Sequence, residues 1–207
     1  ATSDSDSGGV GAGANAFADL RVDSTKTGTE VKVDGASLIG DETTLTANVS
    51  KMKLRSESLA LTKAAIGFTK SLATLDIDTD AEVTLTADAY VEGQKVKLQA
   101  NHDHVDVTSK GKADSRSLGS ATASSKTDYD TFSMIDVATG ALVAAGDLAV
   151  DATQDIVDYD RNPVEKIVGI DVEPGPVPLG AFNANRKIQF DGDILLQMQT
   201  RPELVVD

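Results

Sequence analysis

The sequence predicts an all-β chain: a right-handed parallel β-helix (β-solenoid) built from repeats of about 52 residues. Three observations predict it. The first is a register that holds for three copies. Val31, Val83 and Ile135 are equivalent, as are Val33, Leu85 and Val137, then Leu38, Tyr90 and Leu142. After a one-residue slip at the turn, Leu45, Leu98 and Val150 match, followed by Ala47, Ala100 and Ala152. Self-similarity at a fixed period marks a stacked architecture, in which each unit buries its face on its neighbours. The second is period-two alternation in stretches such as AEVTLTAD and QKVKLQAN, the pattern of half-buried strands. The third is a hydrophobic fraction of 40% with only 4% aromatics and no tryptophan, which suits a thin core of Val, Leu, Ile and Ala.

Along the chain, residues 1–13 (ATSDSDSGGVGAG) read as flexible or as the cut end of a repeat. Residues 14–155 form the repeat-built β-solenoid, with copies near 29–80, 81–132 and 133–155. Strands of about 5–6 residues with short turns fit two coils of three strands into each repeat. In that picture Val31, Val33, Val83, Leu85, Ile135 and Val137 stack as one inward ladder, and Leu45, Leu98 and Val150 belong to another. Residues 56–75 are dense in helix formers, yet the equivalent stretch one period later is poor helix material, so strand or irregular arm is expected for both. Gly67 and Gly119 fall 52 residues apart and mark a shared backbone feature. Residues 156–207 form a proline-containing insert with further strands; EPGPVPLG (Glu173 to Gly180) is a loop, and RKIQFDGDILLQMQ and PELVVD are strands. The uncapped last strand and the absence of a signal segment predict a processed chain or a piece of a longer one.

The net charge of −14 repels phosphate backbones and anionic lipid, so neither nucleic acid nor an anionic lipid surface is an expected partner. No apolar run is long enough to span a bilayer. The absence of cysteine excludes disulfides and thiolate metal sites.

Four stretches invite a chemical reading. Asp76, Asp78, Asp80 and Glu82 alternate along one strand face, about 7 Å apart, and offer the hard oxygens that Ca²⁺ takes; the other reading is an exposed strand face leading into the second repeat. No other metal or cofactor is expected. His102 and His104 are spaced to point to one face, either as a two-imidazole contact for Zn²⁺ or Cu²⁺ or as solvent-facing polar residues. Asp158, Asp160 and Arg161 resemble the carboxylate-and-base cluster of a carbohydrate-active β-helix, or else turn chemistry beside Pro163. GGVGAG lacks the lysine and hydroxyl of a phosphate loop. Neither the Asp76–Glu82 run nor the histidine pair is expected to be reproduced between copies.

The cadence of EVKVDGASLIGDETTLTAN, EVTLTADAYVEGQKVKLQAN and IDVATGALVAAGDLAVDAT, followed by arms such as SRSLGSATASSKTDYD, resembles filamentous-haemagglutinin-like β-helix sections of giant bacterial surface proteins. The C-terminal FNANRKIQFDGDILLQMQTRPELVVD resembles a segment that recurs in such proteins. The resemblance implies a structural or adhesive, non-catalytic section of a secreted or cell-surface fibre. Its partners would be neighbouring sections, further copies, or a cell-surface or glycan ligand. The alternatives are a filament subunit joining end to end through open strand edges and, third, a carbohydrate-active enzyme.

Overall fold

The computed structural model describes residues 1–23, 28–116, 118–161, 164–167, 170–172 and 182–196. Every described element is a strand: β1 (Thr2–Val22), β2 (Thr29–Val33), β3 (Ser37–Ile39), β4 (Glu42–Ser50), β5 (Lys53–Leu85), β6 (Tyr90–Ser115), β7 (Leu118–Val137), β8 (Leu142–Arg161), β9 (Val164–Ile167), β10 (Ile170–Val172), β11 (Phe182–Phe190) and β12 (Asp193–Leu196). They form one twelve-stranded sheet, curled like a half-barrel. All pairings are parallel except the short β9–β10 contact.

The register explains the repeat. Val83 lies beside Val31 on one side and Ile135 on the other, and Leu98 lies between Leu45 and Val150. The chain therefore returns to the same place after one full repeat. This overturns the expectation of two short coils per 52 residues. The cause is strand length: β5 runs for 33 residues and β6 for 26, far beyond ordinary strands. Alternation of small inward residues continues through the Ala/Ser/Thr stretches, so they extend strands rather than interrupt them. Residues 56–75 are strand throughout, as the alternation favours over the helix formers. The Ser/Gly-rich start is also strand, with Thr2 to Gly13 registered on Glu57 to Phe68.

Each pass has two regions. At the base, Val83, Leu85, Val91, Leu98, Ile135, Val137 and their buried neighbours form an aliphatic core, with Phe190 of β11 packed against it. The two inward ladders expected from the sequence lie here, with Val31 and Val150 only partly buried. Beyond the base, an outgoing strand and a returning strand run together as a long arm. Leu75, Ile77, Val105, Val107 and Tyr129 fill its proximal part. Farther out the interior narrows to Ala14, Ala16 and Ala60 in one pass and Ala113, Ala121 and Ala123 in another.

Two backbone features repeat with the passes. The base turn places Gly35, Asp88 and Gly140 at positive φ, a conformation that Gly and Asp tolerate best. The first copy is one residue shorter at this turn, so Leu38 lies beside Val91 and Tyr90 beside Ser37. The one-residue slip thus precedes Leu38, and the Leu38–Tyr90 equivalence is corrected. At the arm tip Gly67 lies beside Gly119, and a Cβ on Gly119 would overlap the Gly67 carbonyl. The 52-residue spacing of these glycines reflects a close approach of neighbouring passes.

Candidate functional site

Inward and outward side chains of the arm carry the chemistry, on opposite faces of the same strands. Inside, hydroxyls bind the facing layers together. Ser71 Oγ donates to the Ser58 carbonyl at 2.9 Å and lies 2.6 Å from Ser58 Oγ. Thr69 Oγ1 donates to Thr62 Oγ1 at 2.9 Å, and Ser125 Oγ donates to the Ser109 carbonyl at 2.7 Å. A narrow interior has no room for large apolar side chains. Short hydroxyls fill it and satisfy one another, because a buried polar group without a partner is costly.

His102 sits where the arm meets the base, and it is fully buried. Its Nε2 lies 2.9 Å from Thr79 Oγ1 and its Nδ1 lies 2.9 Å from Ser133 Oγ. Ser133 Oγ donates its own proton to the Thr153 carbonyl at 3.0 Å. It therefore accepts from Nδ1–H, and Nε2 accepts from Thr79, which fixes a neutral tautomer. Burial lowers the imidazole pKa to about 4, against smaller opposing effects of the Thr79 backbone and the Asp103 charge.

His104 does not join it. Its φ of 55° and the register shift between His102 and Val105 turn the next side chain outward. The expectation that both rings share one face fails because of this bulge. Lys51, one pass earlier, has a φ of 56°, so the bulge belongs to the first two copies even though the histidines do not. Each ring has a different environment: His102 is a buried structural group, and His104 an exposed one.

Outside, Asp76, Asp78, Asp80 and Glu82 point away from the arm, alternating with buried Ile77, Thr79, Ala81 and Val83. Asp76 lies beside Asp128 and Asp78 beside Asp130 in the next pass, while Glu82 lies beside Glu30 in the preceding one. The run is thus partly reproduced between copies, contrary to expectation. A shift of 52 positions along LDIDTD and TDYDTF would have found it. Partial burial raises the Asp80 pKa, with the charges of Asp78 and Asp130 adding to it. Glu82 is raised by partial burial, then by Asp80, Glu30 and Asp136. Among the described residues, cations meet the run at its edge: Arg21 lies 3.9 Å from Asp76, and Lys126 pairs with Asp128.

Ca²⁺ takes 6–8 converging oxygens. A flat face spreads its carboxylates instead, about 4.8 Å apart across strands and about 7 Å along them. Among the described residues no three His, Asp or Glu side chains come together as a metal-holding group. The arrangement makes a strip of negative potential rather than a cage. The side chains of Asp158, Asp160 and Arg161 lie outside the described residues, as do the EPGPVPLG and PELVVD segments. GGVGAG is part of β1 and forms no loop. Among the described residues there is no helix long and apolar enough to cross a membrane.

No family model matches the chain, and neither a curated protein nor a solved structure matches it.

Proposed function

We propose that the chain is a section of right-handed parallel β-helix whose role is structural or adhesive and non-catalytic, within a secreted or cell-surface fibre. The observation that carries this reading is the in-register pairing of successive passes one repeat apart, from β1 through β5 and β7 to β11. Such stacking makes length by repetition, and the passes keep their core residues together with a few outer acids, Asp76/Asp128, Asp78/Asp130 and Glu30/Glu82. The resemblance of the cadence to filamentous-haemagglutinin-like sections points the same way. The acidic exterior keeps a long sheet soluble and discourages lateral sheet pairing. Electron cryomicroscopy of the purified chain is expected to show a rod with a right-handed path and a spacing of about 4.8 Å along its axis. Two packed antiparallel sheets would overturn the reading.

A second reading has its own observation. Among the described residues β1 pairs on one side only, with β5. A row of free backbone donors and acceptors 21 residues long is a template for another strand. In this reading, copies join end to end into filaments. Fibres one sheet-stack wide at high concentration would support it, and monomers at the same concentration would count against it.

A further inference from the structure

The stack ends on open edges at the base, and the core ladders run out there into solvent. Among the described residues β2 and β3 pair on one side only, with β5 and β6, and β11 and β12 pair on one side only, with β7 and β8. All four pairings are parallel and extend ladders that the inner passes bury. Val83 and Ile135 lie between Val31 and Ile188, Leu85 and Val137 between Val33 and Phe190, and Val91 and Val143 between Leu38 and Ile194. The inner members are fully buried. The outer members are not: Ile188 is 50% exposed, Ile194 49%, and Val31 and Leu38 are only partly buried. Beside them Leu195 is 51% exposed at one end and Ile39 71% at the other.

The register of the internal passes says what fits these edges. Each pass meets the next through parallel strands with inward side chains stacked on inward side chains. Carried one step past the last pass, that register puts Ile188 of one copy beside Val31 of a second, Phe190 beside Val33, Ile194 beside Leu38 and Leu195 beside Ile39. Apolar meets apolar at all four positions. On the outer face Lys187, which continues the ladder of Met134 and Glu82, falls beside Glu30. Within one copy the neighbour of Glu30 across the strands is Glu82, a like charge; Lys187 of the second copy supplies the opposite one. One contact is adverse. Asp191 falls opposite Asp34, where Lys32, 3.7 Å from Asp34, offsets it. Two like ends related by a two-fold axis would meet antiparallel and break the ladders. In the arm β10 runs antiparallel to β9, so the register continues through the base.

We propose that the β11–β12 edge of one copy seats on the β2–β3 edge of the next in this register, as a head-to-tail joint in which Ile188 meets Val31, Ile194 meets Leu38 and Lys187 meets Glu30. This rests on the end-to-end reading and names its contact. The test is assembly of the purified chain, followed by light scattering and electron microscopy over a range of concentrations. Glu30→Lys and Lys187→Glu should each weaken assembly about fivefold. The two changes in one chain, or an equimolar mixture of the two single variants, should restore it. Both side chains are exposed, so circular dichroism should show an unchanged strand spectrum. The chain has no cysteine, so a Leu195→Cys chain and an Ile39→Cys chain should cross-link to each other through a short bismaleimide, and neither to itself. Filaments that ignore both charge changes, or that cross-link position 195 to position 195, would overturn this contact and leave the end-to-end reading standing. A folded chain that stays monomeric at every concentration would overturn both, and the two edges would then belong to neighbouring sections of a longer chain.

Discussion

The base and the arm are made by the same strands and held together by different physics. At the base, Val83, Leu85, Leu98, Ile135 and Val137 are fully buried among aliphatic neighbours. In the arm, past a small cluster of Leu75, Ile77, Val105, Val107 and Tyr129, the interior is Ser, Thr and Ala, with one histidine where arm and base meet. Apolar burial is non-directional and tolerates small shifts. Hydroxyl bonds across a narrow gap are directional, and each broken bond leaves a polar group buried. The base should therefore supply most of the stability, and the arm should fix how closely the two layers approach and in which register.

The sharpest way to break that division is to remove volume at the base. Leu98→Ala, in the middle of the Leu45–Leu98–Val150 ladder, should cost about 2–5 kcal/mol in denaturant unfolding. In the arm the corresponding probe is a polar group. Ser71 Oγ serves Ser58 and also accepts the Lys112 backbone N–H at 3.1 Å, so Ser71→Ala should cost about 1–2 kcal/mol. If the two costs are equal, the arm carries as much of the fold as the base.

The second effect is a pH dependence that the arm has and the aliphatic base lacks. His102 is neutral when folded, with its pKa near 4, and ordinary when unfolded, near 6.5. The unfolded chain therefore binds the extra proton between these values. Stability from this group is complete above about pH 6.5 and is lost as pH falls toward 4; the shift corresponds to roughly 3 kcal/mol. His102→Gln should flatten that slope, since the next pass carries Gln154 at the same position. Unfolding midpoints measured from pH 7 to pH 4 decide it; an unchanged slope in the variant would move the cause elsewhere.

The base was legible in the sequence because its ladders keep residue type over three copies. The arm was less legible for a physical reason. Its distal interior is Ala, Ser and Thr, whose alternation is weak in hydrophobicity although strict in burial, as in Ser56, Ser58, Ala60 and Thr62. Short elements were therefore expected where β5 runs unbroken. The histidine pair misled because strand alternation cannot anticipate a bulge: one residue at positive φ reverses the face of everything after it. The repeated acids Asp76/Asp128 and Asp78/Asp130 were readable from spacing alone.

A third and smaller probe tests the close approach at the tip. Gly119→Ala places a methyl group against the Gly67 carbonyl of the neighbouring pass. Overpacking of this kind costs about 1–3 kcal/mol. The effect should be local: hydrogen exchange should speed up at residues 115–120 and 64–69 and stay unchanged at Val83 and Leu98. A global loss would show that tip and base unfold as one unit.

The smallest expected effect is on the outer face, where its sign opposes that of His102. Asp80 and Glu82 have raised pKa values, so their ionised forms are strained in the folded state. As pH falls through those raised values, protonation removes the cost of partly burying the charges and relieves the repulsion, and stability rises, which partly offsets the loss at the histidine. Asp80→Asn and Glu82→Gln should each stabilise the chain at pH 7 by a few tenths of a kcal/mol, as expected for half-exposed like charges. Raising the salt should shrink the gain, because the charges of Asp78, Asp130 and Glu30 are then screened. Calcium separates a strip from a cage. A strip binds it weakly and no better than its charge predicts, so titration should raise the unfolding temperature of the wild-type chain gradually, as magnesium does. A saturable response to calcium alone, lost in Asp80→Asn, would show that the carboxylates converge in solution and that the outer face is a built metal site.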